Sequence, residues 1–207
     1  MKKNRIPQLI FLILPILVLQ ACVKDVSEYY ADGENPGLAI FSNNSNNVLS
    51  CFIADKPWRT TTRTTAGLIF ARAHYEVYIQ KQITNTLSDT LHISWNGYYP
   101  PNKDMPGNLT LHLAIPKNFT YLSLSALNGQ RLNVDATAGY FSTSISQLNN
   151  ISNRGSGKIY FNTALFDSIA PNTYNGKLSG LFEANFNSFK ITNGRFDHFF
   201  GPDQIRF

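Results

Sequence analysis

Apolar and polar positions alternate one by one along much of the chain. In residues 109–115, leucine or isoleucine occupies every second position, with threonine, histidine and alanine between them. Residues 91–95 repeat this alternation and end on a tryptophan. A period of two places the apolar side chains on one face of a β-strand and the remaining side chains on the other. The pattern predicts half-buried strands rather than amphipathic helices.

Apolar runs separated by turn-forming residues predict further strands. Pairs such as Pro100-Pro101 and Asn175-Gly176 mark the breaks. About ten short strands in series favour an all-β fold, either a single antiparallel β-sandwich or a partly closed barrel, with helix confined to short turns. The candidate strands beyond the two above are 67–79, 121–126, 139–145, 158–161, 178–186 and 189–196.

The composition agrees with this fold class. The 207 residues include 22 Asn but only four Glu, so turn-forming residues outnumber strong helix formers. Hydrophobic residues make up 43% and charged residues 15%, which is enough apolar material for one core and too little charge for a disordered chain. A helical bundle is therefore excluded.

The C-terminal segment allows a strand register to be predicted. A two-residue hairpin loop at 187–188 would place the apolar residues of both flanking strands on one face. An extra residue at Asn193-Gly194, a bulge with Gly194 in the left-handed conformation, would then return Phe196 to that face opposite Gly180. The alternative is a second hairpin turn at Asn193-Gly194.

The N-terminus has the order of features found in an export signal. Residues 1–5 carry three positive charges, and the apolar run 9–19 that follows is too short for a membrane-spanning helix, which needs roughly 20 residues. The next residues, Leu19-Gln20-Ala21-Cys22, resemble the lipobox of bacterial lipoproteins, in which the cysteine is acylated before cleavage. An ordinary signal peptide with a cysteine after it is the alternative.

This interpretation divides the chain into three parts. Residues 1–21 are the predicted lipoprotein signal peptide, residues 22–37 an acidic tether, and residues 38–207 the β domain. The signal holds three of the 18 basic residues and none of the 13 acidic ones, which leaves a mature chain with a formal charge of +2. A secreted chain with so little net charge and no basic stripe is not expected to bind nucleic acid.

No catalytic residue, cofactor or metal site is predicted. The histidines at 74, 92, 112 and 198 lack the spacing of a metal site, and no Gly-x-Ser-x-Gly motif is present. The second cysteine, Cys51, lies in an apolar run without a neighbouring base, so we expect a buried packing role. Carboxylates that converge only in the fold could still serve a hydrolase.

An aromatic loop supplies the candidate ligand-binding residues. Trp95, Tyr98 and Tyr99 precede Pro100-Pro101, and aromatic rings beside amides in a stiffened loop are suited to holding sugar rings or peptides. Trp95 also shares the apolar parity of residues 91 and 93, so packing in the core is the alternative.

Two short motifs resemble the sites at which Bacteroidetes attach O-linked glycans. They are Asp89-Thr90-Leu91 and Asp167-Ser168-Ile169. Polar strand ends with local Asx turns are the alternative interpretation.

Two longer stretches resemble uncharacterised lipoproteins of the Bacteroidetes. Residues 51–58 end in Lys-Pro-Trp, with Asp55 where the family has glycine, and residues 191–196 read Ile-Thr-Asn-Gly-Arg-Phe. The resemblance implies a lipid-anchored β domain at the outer membrane, on its periplasmic or cell-surface face. It implies no catalytic residues.

The leading hypothesis is a non-catalytic binding or accessory module, attached to the membrane through acylated Cys22 and able to hold a glycan or a peptide. A glycoside or other hydrolase is the alternative. A structural role in a surface assembly is the third, and it would require a large apolar patch or an unpaired sheet edge.

Overall fold

The computed structural model describes residues 30–60, 77–83, 88–99, 106–145, 154–171 and 173–207. Strands dominate these residues, and all but one of the strand pairings are antiparallel, which confirms the predicted all-β class. The helical segments described are the short 3-10 helices Tyr121–Leu127 and Pro202–Gln204. The strands of the described ranges are β1 (Val48–Ile53), β2 (Lys56–Arg59), β3 (Val77–Ile83), β4 (Ser88–Tyr98), β5 (Pro106–Pro116), β6 (Arg131–Val134), β7 (Gly139–Thr143), β8 (Arg154–Ala170), β9 (Thr173–Asn185), β10 (Lys190–Phe200) and β11 (Ile205–Arg206).

Eight strands close into a barrel, so the fold is a barrel and not a sandwich. The order around the ring is β4-β2-β1-β10-β9-β8-β7-β5, and the ladder between β4 and β5 completes the circle. Within the described residues, β2 and β4 share a single residue pair, Arg59 with Tyr98. Strands β3 and β11 extend the sheet beyond β4, and β6 pairs with β8.

Alternating side chains fill the interior of the barrel. An eight-stranded barrel is just wide enough to be filled by side chains, and aromatic residues do this here. The Trp95 ring lies 5.6 Å from that of Phe196 and 6.4 Å from that of Phe182, measured between centroids. The other large, fully buried rings are Trp58, Phe141, Phe161 and Phe200.

The predicted register of the C-terminal hairpin is confirmed, with one correction. Phe196 pairs with Gly180, and the register shifts between Ile191 and Gly194 as a bulge would require. The left-handed residue is Asn193, with φ of 53°, and not Gly194. Asparagine tolerates this conformation. Gly194 serves another purpose, because a Cβ there would lie about 2.5 Å from the ring of Phe182.

Residues 121–126 were predicted as a strand, and this prediction is wrong. The segment is part of the 3-10 helix Tyr121–Leu127. Tyr121, Leu124 and Leu127 pack against the core at a spacing of three, which is the period of a 3-10 helix.

Two further predicted strands differ in extent from the observed ones. Of the candidate strand at 67–79, residues 67–76 lie outside the described residues. The strand predicted at 158–161 extends to Arg154–Ala170.

The folded chain begins before residue 38. Residues 30–41 form a small N-terminal hairpin in which Ala31 pairs with Ala39 and the Ile40 amide donates to the Tyr30 carbonyl at 2.7 Å. The carboxylate of Asp32 forms an ion pair with Arg195 on β10. Hydrogen bonds from Asn35, the Glu34 amide and Arg195 lower the pKa of Asp32 to about 2. The second half of the predicted tether is therefore attached to the barrel.

Polar residues 42–46 follow this hairpin, and one buried carboxylate, that of Asp197, binds them. The Asp197 carboxylate on β10 accepts hydrogen bonds from the backbone amides of residues 44, 45 and 46 at 2.9–3.2 Å and from the Ser42 hydroxyl. The next residue that reaches β10 is Asn47, whose amide oxygen accepts from the Phe199 backbone at 2.8 Å. The N-terminal segment thus follows β10 along the outside of the barrel. In the described part of the chain, no helix has the length and hydropathy needed to span a bilayer.

Candidate functional site

The aromatic residues predicted to bind a ligand are buried. Trp95 is 1% exposed, Tyr98 7% and Tyr99 8%. Because Trp95 continues the inward parity of β4, its ring lies in the barrel core, and Tyr99 belongs to the same core cluster. Burial raises the pKa of Tyr99 to about 12. These residues do not form an exposed platform, and the alternative interpretation, packing, is the one the structure shows.

The two cysteines fall in different parts of the chain. Cys22, the predicted lipidation site, lies outside the described residues. Cys51 is fully buried on β1, and burial raises the pKa of its thiol. The thiol is therefore protonated and enclosed, in keeping with the expected packing role.

A groove of about 720 Å³ lies on the barrel where β6, β8, β9 and β10 run side by side. Lys158 and Tyr160 alternate along β8 with buried Ile159 and Phe161, so their side chains point outward into the groove. Cross-strand pairing aligns their neighbours in two rows. The first row is Arg131, Tyr160, Leu181 and Arg195, and the second is Asn133, Lys158 and Glu183. Asn193, in the bulge of β10, also lines the groove.

The groove has an apolar floor and cationic sides. Tyr160 and Leu181 are directly opposite each other, and Leu181 is 41% exposed although it is apolar. The Arg131 guanidinium lies 5.0 Å from the centroid of the Tyr160 ring, a cation–π contact. Arg131 and Lys158 form no ion pair within the described residues, whereas Arg195 is paired with Asp32. Two cations without an ion pair among the described residues therefore face the groove, with the carboxylate of Glu183 on the strand next to Lys158.

One carboxylate lines the groove among the residues described. Glu183 on β9 is opposite Lys158, and neither forms a salt bridge within 4.0 Å in the described ranges. A glycosidase needs two carboxyl groups at a defined separation. The groove does not supply that pair.

His92 and His112 are far apart in the sequence but are neighbours in the folded barrel. They are cross-strand partners on β4 and β5, with ring centroids 4.5 Å apart. His112 also stacks on Tyr140 at 4.1 Å and bonds Ser142 through Nε2 at 2.7 Å. Burial, with a smaller contribution from the charges of His92 and Arg154, lowers the pKa of His112 to about 4. His92 thus meets His112 edge to face, His112 stacks on Tyr140, and burial lowers the pKa of both histidines.

The remaining two histidines, His74 and His198, do not join His92 and His112 to form a metal site in the described part of the chain. His198 is fully buried on β10, and burial lowers its pKa to about 3. His74 lies outside the described residues. Nowhere in the described ranges do three His, Cys, Asp or Glu side chains come together as metal ligands would.

The two candidate glycosylation motifs differ in their surroundings. Asp89 is buried and forms ion pairs with Lys117 at 2.7 Å and Lys81 at 3.3 Å, and the hydrogen bond from Lys117 is the largest cause of its lowered pKa. Asp167 and Ser168 are exposed near the end of β8, where the Ser168 hydroxyl donates to the Ala170 carbonyl at 3.1 Å. Modification at either motif stays a prediction.

Sequence reasoning missed the groove because its residues lie on four strands and are separated by up to 64 positions, from Arg131 to Arg195. The available signal was local: polar and apolar residues alternate at 158–161, and a single charged residue, Glu183, lies between apolar residues at 181–184. Only the register between strands shows that these positions share one face. No family model, no curated protein and no solved structure matches the chain.

Proposed function

We propose that this protein is a lipid-anchored, non-catalytic binding protein of the bacterial outer membrane, and that its groove holds an acidic glycan. The observation that carries the proposal is the pairing of an apolar floor, Tyr160 and Leu181, with the unpaired cations Arg131 and Lys158 on the same outer face.

The membrane location is supported by the order of features at the N-terminus. A basic start, a short apolar run and Leu19-Gln20-Ala21-Cys22 stand in sequence. Acylation of Cys22 would attach the chain to lipid, since each buried methylene contributes about 0.8 kcal/mol. The resemblance to Bacteroidetes lipoproteins points to the same location.

The ligand class follows from the side chains in the groove. Sugar rings present apolar faces that pack on aromatic and aliphatic surface, and hydroxyl groups that bond to amides and carboxylates. Asn133 and Glu183 offer such partners beside the floor. Arg131 and Lys158 would bind carboxylate groups on the sugar. A binding role is favoured over hydrolysis because the described lining of the groove holds only Glu183 as a carboxylate.

Calorimetric titration with oligogalacturonate, a neutral galacto-oligosaccharide of equal length and an oligoglutamate peptide tests this function. We expect oligogalacturonate to bind, with an affinity that falls as salt rises. The double variant Arg131→Gln/Lys158→Gln should bind at least tenfold more weakly, since hydrogen bonds to charged groups contribute about 1.5–3 kcal/mol each.

Lys56→Gln is the matched control, because Lys56 is an exposed lysine at the start of β2 and lies outside the groove. Its affinity should equal that of the wild type. Equal binding of the neutral oligosaccharide, stronger binding of the peptide, or an unchanged affinity in the double variant would contradict the proposed ligand.

A further inference from the structure

The N-terminal hairpin, residues 30–41, exposes an unusual amount of apolar surface. Tyr30 is 55% exposed, Ile40 49% and Phe41 36%. Three of the ten large apolar side chains that are exposed in the described part of the chain therefore fall within these twelve residues. Tyr30 and Ile40 lie opposite each other across the hairpin, joined by the 2.7 Å backbone hydrogen bond, so their side chains share one face.

The hairpin is firmly attached to the barrel. Arg195 on β10 pairs with Asp32 and donates to the Ala39 carbonyl at 3.2 Å. The Ala39 amide donates to the Ser50 hydroxyl on β1 at 2.9 Å. Asn193 donates to the Asn35 side chain at 3.0 Å. A contact made by the exposed face would therefore fix the orientation of the whole barrel.

The chain length before the hairpin indicates what this face meets. Tyr30 is eight positions after Cys22, and a fully extended chain of eight residues reaches no more than about 29 Å. An acyl group on Cys22 would therefore hold Tyr30 within that distance of the lipid. Aromatic and aliphatic side chains at such a distance can enter the interface between headgroups and acyl chains.

We infer that the face of the N-terminal hairpin formed by Tyr30 and Ile40, together with the adjacent exposed side chain of Phe41, is a second membrane contact that holds the barrel against the bilayer. The inference rests on the proposed lipid anchor at Cys22. The charges on the hairpin favour zwitterionic over anionic lipid. Asp32 is neutralised by Arg195, while exposed Glu34 forms no salt bridge among the described residues and would be repelled by an anionic headgroup. Asn193 and Arg195, which hold the hairpin, also line the groove, so the contact would place the proposed ligand site close to the membrane.

The test uses the full-length protein, expressed in a bacterium that acylates lipoproteins, with zwitterionic phosphatidylcholine vesicles that have brominated or ordinary acyl chains. Ile40→Trp adds an indole to the hairpin, and Leu122→Trp adds one at a position that is 53% exposed on the 3-10 helix Tyr121–Leu127. The parent protein, whose Trp58 and Trp95 are buried, supplies the background emission. We expect the added emission of Ile40→Trp to shift to shorter wavelength on vesicles and to be quenched by the brominated chains. The added emission of Leu122→Trp should neither shift nor be quenched.

Flotation of the same samples separates the two proposals. Protein that floats with the vesicles while Ile40→Trp remains unquenched would retain the lipid anchor and overturn the hairpin contact. Equal quenching at both positions would also overturn it, because the contact would not be specific to the hairpin. Protein that does not float would overturn the anchor, and with it the inference that depends on the anchor.

Discussion

Phe196 lies directly opposite Gly180 across the ladder between β10 and β9, and its ring occupies the space that a side chain at residue 180 would need. A Cβ at Gly180 would lie 2.6 Å from the ring's Cζ and 2.1 Å from the Tyr160 carbonyl oxygen, so it would overlap with both. The ring of Phe196 in turn lies 6.1 Å from that of Phe161, centroid to centroid. The glycine thus makes room for an aromatic cluster at the centre of the barrel.

We expect Gly180→Ala to lower the free energy of unfolding by about 1–3 kcal/mol, the usual cost of adding a methyl group to a filled core. Urea denaturation measures this change. Gly33→Ala is the control, because a Cβ at Gly33 would meet no atom within 4 Å, and its stability should equal that of the wild type. Equal urea midpoints for Gly180→Ala and Gly33→Ala would contradict this prediction and show that the barrel accommodates a methyl group at residue 180.

The left-handed conformation of Asn193 predicts a difference between two substitutions. Asn193→Gly and Asn193→Val both lose the hydrogen bond to Asn35, so the difference between them reports on the backbone alone. With φ at 53°, valine should be less stable than glycine by about 1–2 kcal/mol or more. Thermal unfolding of the pair checks this, and equal melting temperatures would mean that the bulge can relax.

Acidification should destabilise the barrel in two stages. The pKa of His112 is about 4 and that of His198 about 3 when folded, against an ordinary value of 6.5. Below pH 6.5 the unfolded chain therefore binds protons that the folded chain does not, and the free energy of unfolding falls until the pH reaches about 3–4. Asp32, with its pKa lowered from 3.8 to about 2, adds a second loss below about pH 4.

The histidine contribution can be separated by substitution. In His198→Asn, the loss of stability between pH 6.5 and about 3 should be smaller than in the wild type, while the loss that Asp32 contributes below pH 4 remains. Urea denaturation at a series of pH values measures both slopes. Identical slopes in the upper range would show that His198 does not contribute to it.

Because the aromatic loop residues are buried, we expect their replacement by alanine to destabilise the protein. Tyr99→Ala should lower the free energy of unfolding by about 3–5 kcal/mol, because it removes a core ring that is 8% exposed. Tyr30→Ala removes the same atoms from a position that is 55% exposed and serves as the control, with a much smaller loss expected. A Tyr99→Ala protein as stable as the control would place the ring outside the core.

Replacing the predicted lipidation site should release the protein from membranes. Cys22→Ser removes the thiol that would be acylated, so we expect uncleaved precursor and loss of the protein from the membrane fraction. Fractionation and the electrophoretic mobility of the product measure both effects. Cys51→Ser, at the buried thiol, should be processed normally. Normal processing of Cys22→Ser would contradict the lipoprotein interpretation.

Local patterns predicted much of the fold and little of the site. The alternation in residues 91–95 and 109–115 identified two strands, and the apolar register around loop 187–188 placed Phe196 opposite Gly180. The same alternation also described Trp95 as a core residue, which was the correct alternative for the aromatic loop. In each case the physical cause lies within one strand or one hairpin.

The remaining features depend on pairing between distant strands. Nothing near Arg131 in the sequence indicates that it faces Tyr160, and His92 gives no sign of His112 on the next strand. Residues 121–126 were predicted as a strand from their apolar content, whereas the spacing of three at Tyr121, Leu124 and Leu127 matches the 3-10 helix that forms. Register between strands is a property of the closed barrel, and a local pattern does not encode it.

The ladder between β1 and β10 also determines when the barrel can form. Val48 pairs with Asp197, about 150 residues later in the chain, and the segment before β1 is bound by the same Asp197 carboxylate. The first strand therefore has no partner on that side until nearly the whole chain is available. Closure of a ring through such a distant contact carries a large loop-closure entropy and is intrinsically slow. A chain that is made or exported from its N-terminus can pair β1 with β2 early but would have to leave the other edge of β1 unpaired until the last strands arrive, so the C-terminal hairpin is where folding of the barrel is completed.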